Sequence, residues 1–509
     1  MIAKILSAYH VGIEASPVEV EVDLTPGPFH YVTVGLPDAA VKESQNRILA
    51  AMKNSGFEPP IKKITVNLAP ADVRKEGSAF DLPIALAMLS AQGIIKKEKL
   101  KNIFVIGELA LDGRVKPVRG ILSVAVAAKK TKDAVLLVPT DNAGEAAAVE
   151  GVSAIPVENL AQAVGWLNGE ISIARAQTIV PNGRAVSEDD LDFSEVKGQH
   201  HVRRAIEVAA AGGHNILMVG PPGSGKSMIA SRLPTILPSW SMEEAIEASR
   251  IHSVAGLLNA KTPILSDRPF RFPHHTVSDA GLVGGGHNPV SPGEVSLAHY
   301  GVLFLDEFPE FRRSALEALR QPLENGTVVI ARANSTVSFP ARFMLVCAMN
   351  PCPCGYSTDP AKECKCSALE IRKYKRKISG PLLDRIDIQV EVPAVKFHDL
   401  KSESAASESS AAIRARVESA GAVQSERFAK SRIFRNSEMG NRHLKLFCKI
   451  GAESEQLLKL ALERLGLSAR AWARTLKVAR TIADLAHSEN IATEHVAEAI
   501  QYRAIDRQL

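Results

Sequence analysis

Residues 215–230 read NILMVGPPGSGKSMIA. An apolar run, Ile216–Val219, leads into Gly220-Pro221-Pro222-Gly223-Ser224-Gly225-Lys226-Ser227, and helix-forming residues follow. Strand, glycine-rich loop and helix in that order make a phosphate cradle. The glycines let backbone N–H groups turn toward phosphate oxygens, Lys226 brings a positive charge to the outer phosphates, and Ser227 offers a hydroxyl to Mg²⁺. A chance glycine-rich turn would rarely come with all three parts.

Such a cradle needs a second apolar strand ending in acids, and GVLFLDEF (301–308) supplies it. Asp306 is placed to hold Mg²⁺ through water. Glu307, one residue on, is placed to orient and deprotonate an attacking water. Alone, a buried strand with an acidic edge would be an equally good reading; the phosphate loop decides between them. A third strand, ARFMLVCAMN (341–350), ends in Asn350, whose amide could hold that water or the γ-phosphate. GPLLDRIDIQVEV (380–392) places Arg385 just before a fourth strand. There it could reach a neighbouring subunit's γ-phosphate. Local sequence alone favours a solvated helix-end arginine at this position.

The 509 residues predict about three domains. Apolar residues at 46% and charged residues at 23% are those of a globular chain and exclude bulk disorder. Lys plus Arg number 61 and Asp plus Glu 56, so the net charge of +5 does not by itself argue a polyanion partner. Aromatic residues at 5% disfavour a stacking-rich single-strand binder. No apolar run reaches the ~18 residues of a membrane helix. MIAKILSAYHVG at the amino end lacks a signal-peptide core. A cytoplasmic location is expected.

Residues 1–167 mix strands and helices. VEVEVDL (18–24) alternates, KESQNRILAAMKNSG (42–56) has helical spacing, KKITVNLAP (62–70) is a strand and AFDLPIALAMLSAQG (79–93) a buried helix. NIFVIGELALDGRVKPV (102–118) reads as two strands about Asp112-Gly113. VAVAAKK and AVLLVP add a helix and a strand. Residues 168–190 read as a linker, 191–395 as an α/β unit, and 396–509 as a helical region entered through KSESAASESSAA (401–412).

Taken together, GPPGSGKS, VLFLDEF, FPHHTVSDAGLVGGG, PGEVSLAHYG, NPCPCG and SGPLLDRID closely resemble the YifB/ComM family of magnesium-chelatase-like AAA+ ATPases, and the resemblance spans the chain. It implies a multidomain α/β protein: an amino-terminal α+β domain, a central AAA+ P-loop NTPase with ATP and Mg²⁺, and a carboxy-terminal helical lid. It turns Asn350 into the sensor-1 position and Arg385 into the arginine finger. It marks SARAWART (468–475) as the sensor-2 region, with Arg470 the first choice and Arg474 the second. Val196, Gly198 and Gln199 become the adenine-side segment. A homo-oligomeric, hexameric ring is implied.

Two insertions interrupt the central unit. Residues 270–300 are too long and too Gly/Pro-rich for a simple connection. GTVVIARANSTVSFPARF (326–343) reads as a hairpin, with Arg332 near its tip as a candidate DNA phosphate contact. A surface hairpin arginine has equal odds. The resemblance implies that both insertions face the ring's pore. Arg372, Lys373, Lys375, Arg376 and Lys377 surround Tyr374. That patch can bind a nucleic-acid backbone, although charge runs more often form a solvated helix face.

Four of the six cysteines, Cys352, Cys354, Cys364 and Cys366, form two Cys-x-Cys pairs nine residues apart. Four thiolates can hold Zn²⁺ tetrahedrally and clamp a loop that has no core of its own. Reduced, unliganded cysteines are the alternative. His274, His275 and His287 are not assigned to metal.

VNLAPADVRKEGSAFDLPIAL (66–86) and GELALDGRVKPVRGILSVAVAA (107–128) resemble the Lon proteolytic domain, which shares the fold of ribosomal protein S5. Alignment places Ala79, or Phe80, at the protease's serine and Leu122 at its lysine. A neighbouring Ser78 without a base is a weak nucleophile. This domain is therefore read as a non-proteolytic scaffold. Two functions compete for the whole: an ATP-driven DNA motor promoting branch migration in natural transformation or recombination, and a chelatase- or chaperone-like remodeller of a protein or metallocofactor partner. The chelatase motor subunit was expected to lack a counterpart of this amino-terminal domain, which counts against the second.

Overall fold

The computed structural model describes residues 2–177, 191–286, 290–332, 335–359, 362–394, 408–431, 433–465 and 468–503. Its amino-terminal part is built on a seven-stranded mixed sheet. The strands are β1 (Ile2–Val11), β2 (Glu14–Thr25), β3 (His30–Val34), β4 (Lys63–Ala69), β5 (Ile103–Val105), β8 (Val135–Pro139) and β9 (Ser153–Val157), in the order β3-β4-β2-β1-β5-β8-β9. Period two explains β2: Val18, Val20, Val22 and Leu24 are buried, while Glu19 and Glu21 face outward to Lys4. Helix 39–54 starts at Asp38, whose carboxylate accepts from the Val41 N–H at 2.8 Å. Every residue of helix 81–91 is buried, as its unbroken apolar sequence predicts.

Two sequence expectations change here. The 102–118 stretch makes three strands rather than two. Ile103–Val105 joins the large sheet, and only β6 (Glu108–Leu109) and β7 (Val115–Lys116) pair about Asp112-Gly113. The start of the expected linker is packed, because the Ala176 N–H donates to the Ala154 carbonyl at 2.9 Å. Residues 178–190 lie outside the described part, as do 395–407, which hold most of the Ser-rich stretch. A helix, Ser410–Phe428, opens after it.

The central part contains five parallel strands: β10 (Ile216–Val219), β11 (Phe270–Arg271), β14 (Val302–Leu305), β17 (Met344–Met349) and β18 (Ile388–Glu391). Their order is β11-β14-β17-β10-β18. The middle strands are buried on both faces, which is why they read as continuous apolar runs. Ile216, Met218, Phe304 and Val346 point into one core. Leu217, Leu303, Leu305 and Leu345 point into the other. The first core continues into helices 410–428, 469–485 and 493–501, so the carboxy-terminal helices share it with the sheet.

The two insertions leave this sheet as β12 (Gly284–Gly285) with β13 (Ser291–Pro292), and as the antiparallel hairpin β15 (Thr327–Arg332) with β16 (Ser335–Pro340). The amino-terminal part docks on them. Ile13 packs with Ile251, Leu297, Val337 and Phe339. Gly12 has a positive φ of 61°, and a Cβ there would lie 2.9 Å from Val337 Cγ1. Arg250 donates to the Ile13 carbonyl at 2.5 Å and pairs with Glu14 at 3.2 Å. Among the described residues, no helix is long and apolar enough to cross a membrane.

Candidate active site

Parallel pairing brings the ends of β10, β14 and β17 together, where ligands of open α/β sheets gather. The loop after β10 is the glycine-rich cradle. A Cβ at Gly220 would lie 2.1 Å from the Val392 carbonyl, so only glycine fits. Gly223 and Gly225 have φ of 75° and 89°, and a Cβ at Gly223 would meet nothing within 4 Å. Lys226 is buried, and its ammonium donates to the carbonyls of Gly220 at 2.7 Å and Pro221 at 2.9 Å. Burial lowers its pKa, partly offset by Asp306. Its Nζ also lies 3.4 Å from Asn350 Oδ1. The Ser227 hydroxyl donates to Asp306 Oδ2 at 2.5 Å.

These residues fit ATP and Mg²⁺. An ammonium satisfied by loop carbonyls can exchange them for phosphate oxygens. The Ser227 hydroxyl and the Asp306 carboxylate already share the place a hard cation would take. On the adenine side, Val196 is buried, Gly198 has φ of 65°, and Gln199 Nε2 donates to the Ser224 carbonyl at 2.9 Å and the Pro393 carbonyl at 3.0 Å. Gln199 thereby ties the cradle to the end of β18.

Glu307 adopts a left-handed backbone, φ 51°, and its N–H donates to Asp306 Oδ1 at 2.8 Å. Its Oε2 lies 2.9 Å from His275 Nδ1, from the first insertion. Sequence reasoning gave His275 no role. No spacing rule links residues 275 and 307, and only the fold brings them together.

Arg385, Arg470 and Arg474 form a second group. With Glu324, Asp384 and Lys477 they line a groove of about 190 Å³. The solvated reading of Arg385 is wrong: the residue is 4% exposed. It pairs with Glu324, and its Nη1 donates to the Pro381 carbonyl. Burial lowers its pKa, opposed by Glu324. Arg474 holds Asp387 Oδ1 at 2.6 Å, whereas Arg470 is exposed. Burial works against ionised Asp387, yet Arg474 and His214 outweigh it and hold the carboxyl well below the usual range. Arg385 precedes β18, at the end of the sheet opposite the cradle. The structure therefore does not bring these arginines to the Lys226 of their own chain.

The four cysteine sulfurs lie within 4.8 Å of one another. Cys352 Sγ is 3.4 Å from Cys354 Sγ and 3.7 Å from Cys364 Sγ, and Cys354 Sγ is 3.6 Å from Cys364 Sγ. Four thiolates about one Zn²⁺ at ~2.3 Å stand about 3.8 Å apart, so the set fits zinc. The loop touches the nucleotide site: a Cβ at Gly355 would lie 2.6 Å from Pro222 Cδ. After it, helix 368–375 carries the basic cluster. Tyr374 is buried, Arg372, Lys373 and Arg376 are exposed, and Lys377 pairs with Glu310 at 2.9 Å. Arg332 ends β15 opposite Ser335. Its side chain, and all of His287, lie outside the described residues.

In the amino-terminal part, Ala79 packs against the apolar cluster that contains buried Leu122. Phe80 is buried in the core on the other side. The Ser78 hydroxyl donates to Glu108, and the Lys75 ammonium donates to the carbonyls of Pro70 and Val73. Ser78 and Lys75 thus have separate partners.

Comparison with known proteins follows these geometries. Residues 192–400 match the model "Magnesium chelatase, subunit ChlI", and residues 407–503 match "Magnesium chelatase, subunit ChlI C-terminal". Residues 20–142 match "Subunit ChlI of Mg-chelatase", so the expectation that this region has no chelatase counterpart finds no support. The chain is 43% identical to competence protein ComM of Haemophilus influenzae, over 100% of this chain and 98% of that protein. It is 42% identical to YifB of Escherichia coli, over 98% and 96%. Similarity to the magnesium-chelatase 38 kDa subunit of Cereibacter sphaeroides is 26% over 31% of this chain and 52% of that one. With full-length relatives above 40% identity and family models over most of its length, the chain belongs to the YifB/ComM family of magnesium-chelatase-like AAA+ ATPases.

Proposed function

We propose that the protein hydrolyses ATP in a homo-oligomeric ring, hexameric by family resemblance, and moves on DNA to promote branch migration in natural transformation or recombination. The observation that carries this reading is the split of the charged residues between the two ends of the central sheet. Lys226, Ser227, Asp306, Glu307 and Asn350 gather at one end, and Arg385, Arg470 and Arg474 at the other. Each set lacks what the other supplies, so a complete site needs two subunits.

Bound ATP with Mg²⁺ supplies the phosphoanhydride to be cleaved. Lys226 neutralises phosphate charge, Ser227 and Asp306 hold the cation, and Glu307 takes a proton from the attacking water while Asn350 positions it. Arg385 from the neighbouring subunit stabilises the developing charge. The four cysteines hold structural Zn²⁺, and the amino-terminal domain is a non-proteolytic scaffold. DNA as substrate is supported by the hairpin ending at Arg332 and by the competence protein among the relatives.

The test is steady-state ATP turnover without DNA and with single strands, duplex and a branched junction, with Glu307→Gln as control. Stimulation by the junction supports the motor. A rate indifferent to every DNA favours remodelling of a protein or metallocofactor partner, the reading that the chelatase family models support.

A further inference from the structure

The side chain that touches Glu307 belongs to neither nucleotide motif. His275 Nδ1 lies 2.9 Å from Glu307 Oε2. The imidazole is held on two sides, by the His274 ring at 4.1 Å and by the edge of Phe311 at 6.4 Å. On the Glu307 side the backbone is fixed by the hydrogen bond from its N–H to Asp306 Oδ1. Two constrained groups therefore meet through one polar contact.

That contact has a chemical consequence. Nδ1 must carry the proton to face a carboxylate. A carboxylate that accepts a hydrogen bond is less basic, and the occupied oxygen cannot take a proton from water. His275 thus holds the expected base in a restrained state.

The insertion also connects this contact to the hairpin. Gly284 packs so closely on β15 that a Cβ there would lie 2.8 Å from Ile330 Cδ1. Ile330 stands two residues before Arg332 in β15. Leu282 and Val283 share a core with Ile330, and Ser314 Oγ donates to Asp279 Oδ1 at 3.1 Å. A shift of the hairpin is therefore transmitted into residues 279–293, just beyond His275.

We propose that His275 is a positioning residue that restrains Glu307 until a polymer engaging the hairpin moves the insertion and frees the carboxylate. The trigger rests on the DNA-motor reading; the restraint does not. In the released state Glu307 accepts the water proton with both oxygens available. In the restrained state turnover is slow although ATP is bound.

The experiment compares full-length wild type, His275→Ala, His275→Phe and His275→Asn, with and without branched DNA. Phenylalanine keeps the ring packing and removes the donor, so it covers the case in which alanine disturbs the fold. Asparagine keeps an N–H donor near Nδ1. His275→Ala and His275→Phe should raise the DNA-free kcat by about threefold or more, leave the KM for ATP within about twofold, and bring the DNA stimulation ratio close to one. His275→Asn should stay near wild type in all three. An unchanged or lower DNA-free kcat in both His275→Ala and His275→Phe would overturn the proposal, as would His275→Asn behaving like His275→Phe. If no DNA stimulates the wild type, the motor reading falls, and the DNA-free rates still decide the role of His275.

Discussion

Asn215 Nδ2 donates to the carbonyl of Arg385 at 2.9 Å. Asn215 stands immediately before β10, and the phosphate cradle stands immediately after it. Four strand residues, about 13 Å of extended chain, therefore separate Arg385 from the loop of its own subunit. An arginine fixed there can serve only a neighbour's nucleotide. Arg385→Ala should bind ATP normally and lose turnover by about 10³-fold or more. Lys226→Ala should fail at ATP binding instead. Mixed together, the two inactive proteins should regain turnover, because some interfaces pair an intact cradle with an intact Arg385. Absence of any recovery in mixed assemblies would sink the assignment.

Arg470 and Arg474 should separate by stability. Arg474→Ala strands the Asp387 carboxylate in the interior, and losing one partner of such a pair costs about 3 kcal/mol. Arg470 is exposed, so Arg470→Ala should melt like wild type while losing turnover. The pH dependence has a definite sign. Asp387 has a depressed folded pKa, so its contribution to wild-type stability is full above the ordinary carboxylate value of about 3.9 and is lost as pH falls below it. In Arg474→Ala, burial without the guanidinium favours the protonated acid. The melting deficit of that variant should therefore shrink as pH is lowered from 7 toward 4.

Metal analysis of purified protein should find about one zinc per chain, and Cys364→Ser should lower that content. Because Gly355 abuts Pro222 of the cradle, zinc removal should also weaken nucleotide binding. Metal-free wild type with unaltered turnover would break that link.

Peptide hydrolysis should be absent, and Ser78→Ala should change nothing measurable in a peptidase assay. The Ser78 hydroxyl is committed to Glu108, and an apolar cluster occupies the place where a Ser–Lys pair would stand.

The nucleotide half of the site was legible because its residues are local. Gly220 to Ser227 follow one strand, Asp306 and Glu307 end another, and Asn350 ends a third; parallel pairing then aligns the three strand ends. Gln199 was reached only through family resemblance. The partners were illegible because each depends on chain geometry over long separations. Glu324 meets Arg385, Arg474 meets Asp387, and His275 meets Glu307 with no periodic signal in between. Arg385 looked solvated for the same reason: a helix-end position says nothing about the acid that another element brings to cover it. Residues 168–177 read as linker by composition, yet Ala176 bonds to the sheet through its backbone, which composition does not register.

Ile13 is covered by Val337 and Phe339, residues more than 300 positions later in the chain. During synthesis at ~5–20 residues per second, the amino-terminal sheet can fold long before its docking surface exists. For roughly 15 to 65 seconds the nascent chain carries an uncovered apolar edge at the very start of its sequence. Trigger-type chaperones that hold such edges on the ribosome should matter more for this protein than its ordinary composition suggests, and constructs that end before residue 337 should be prone to stick to one another.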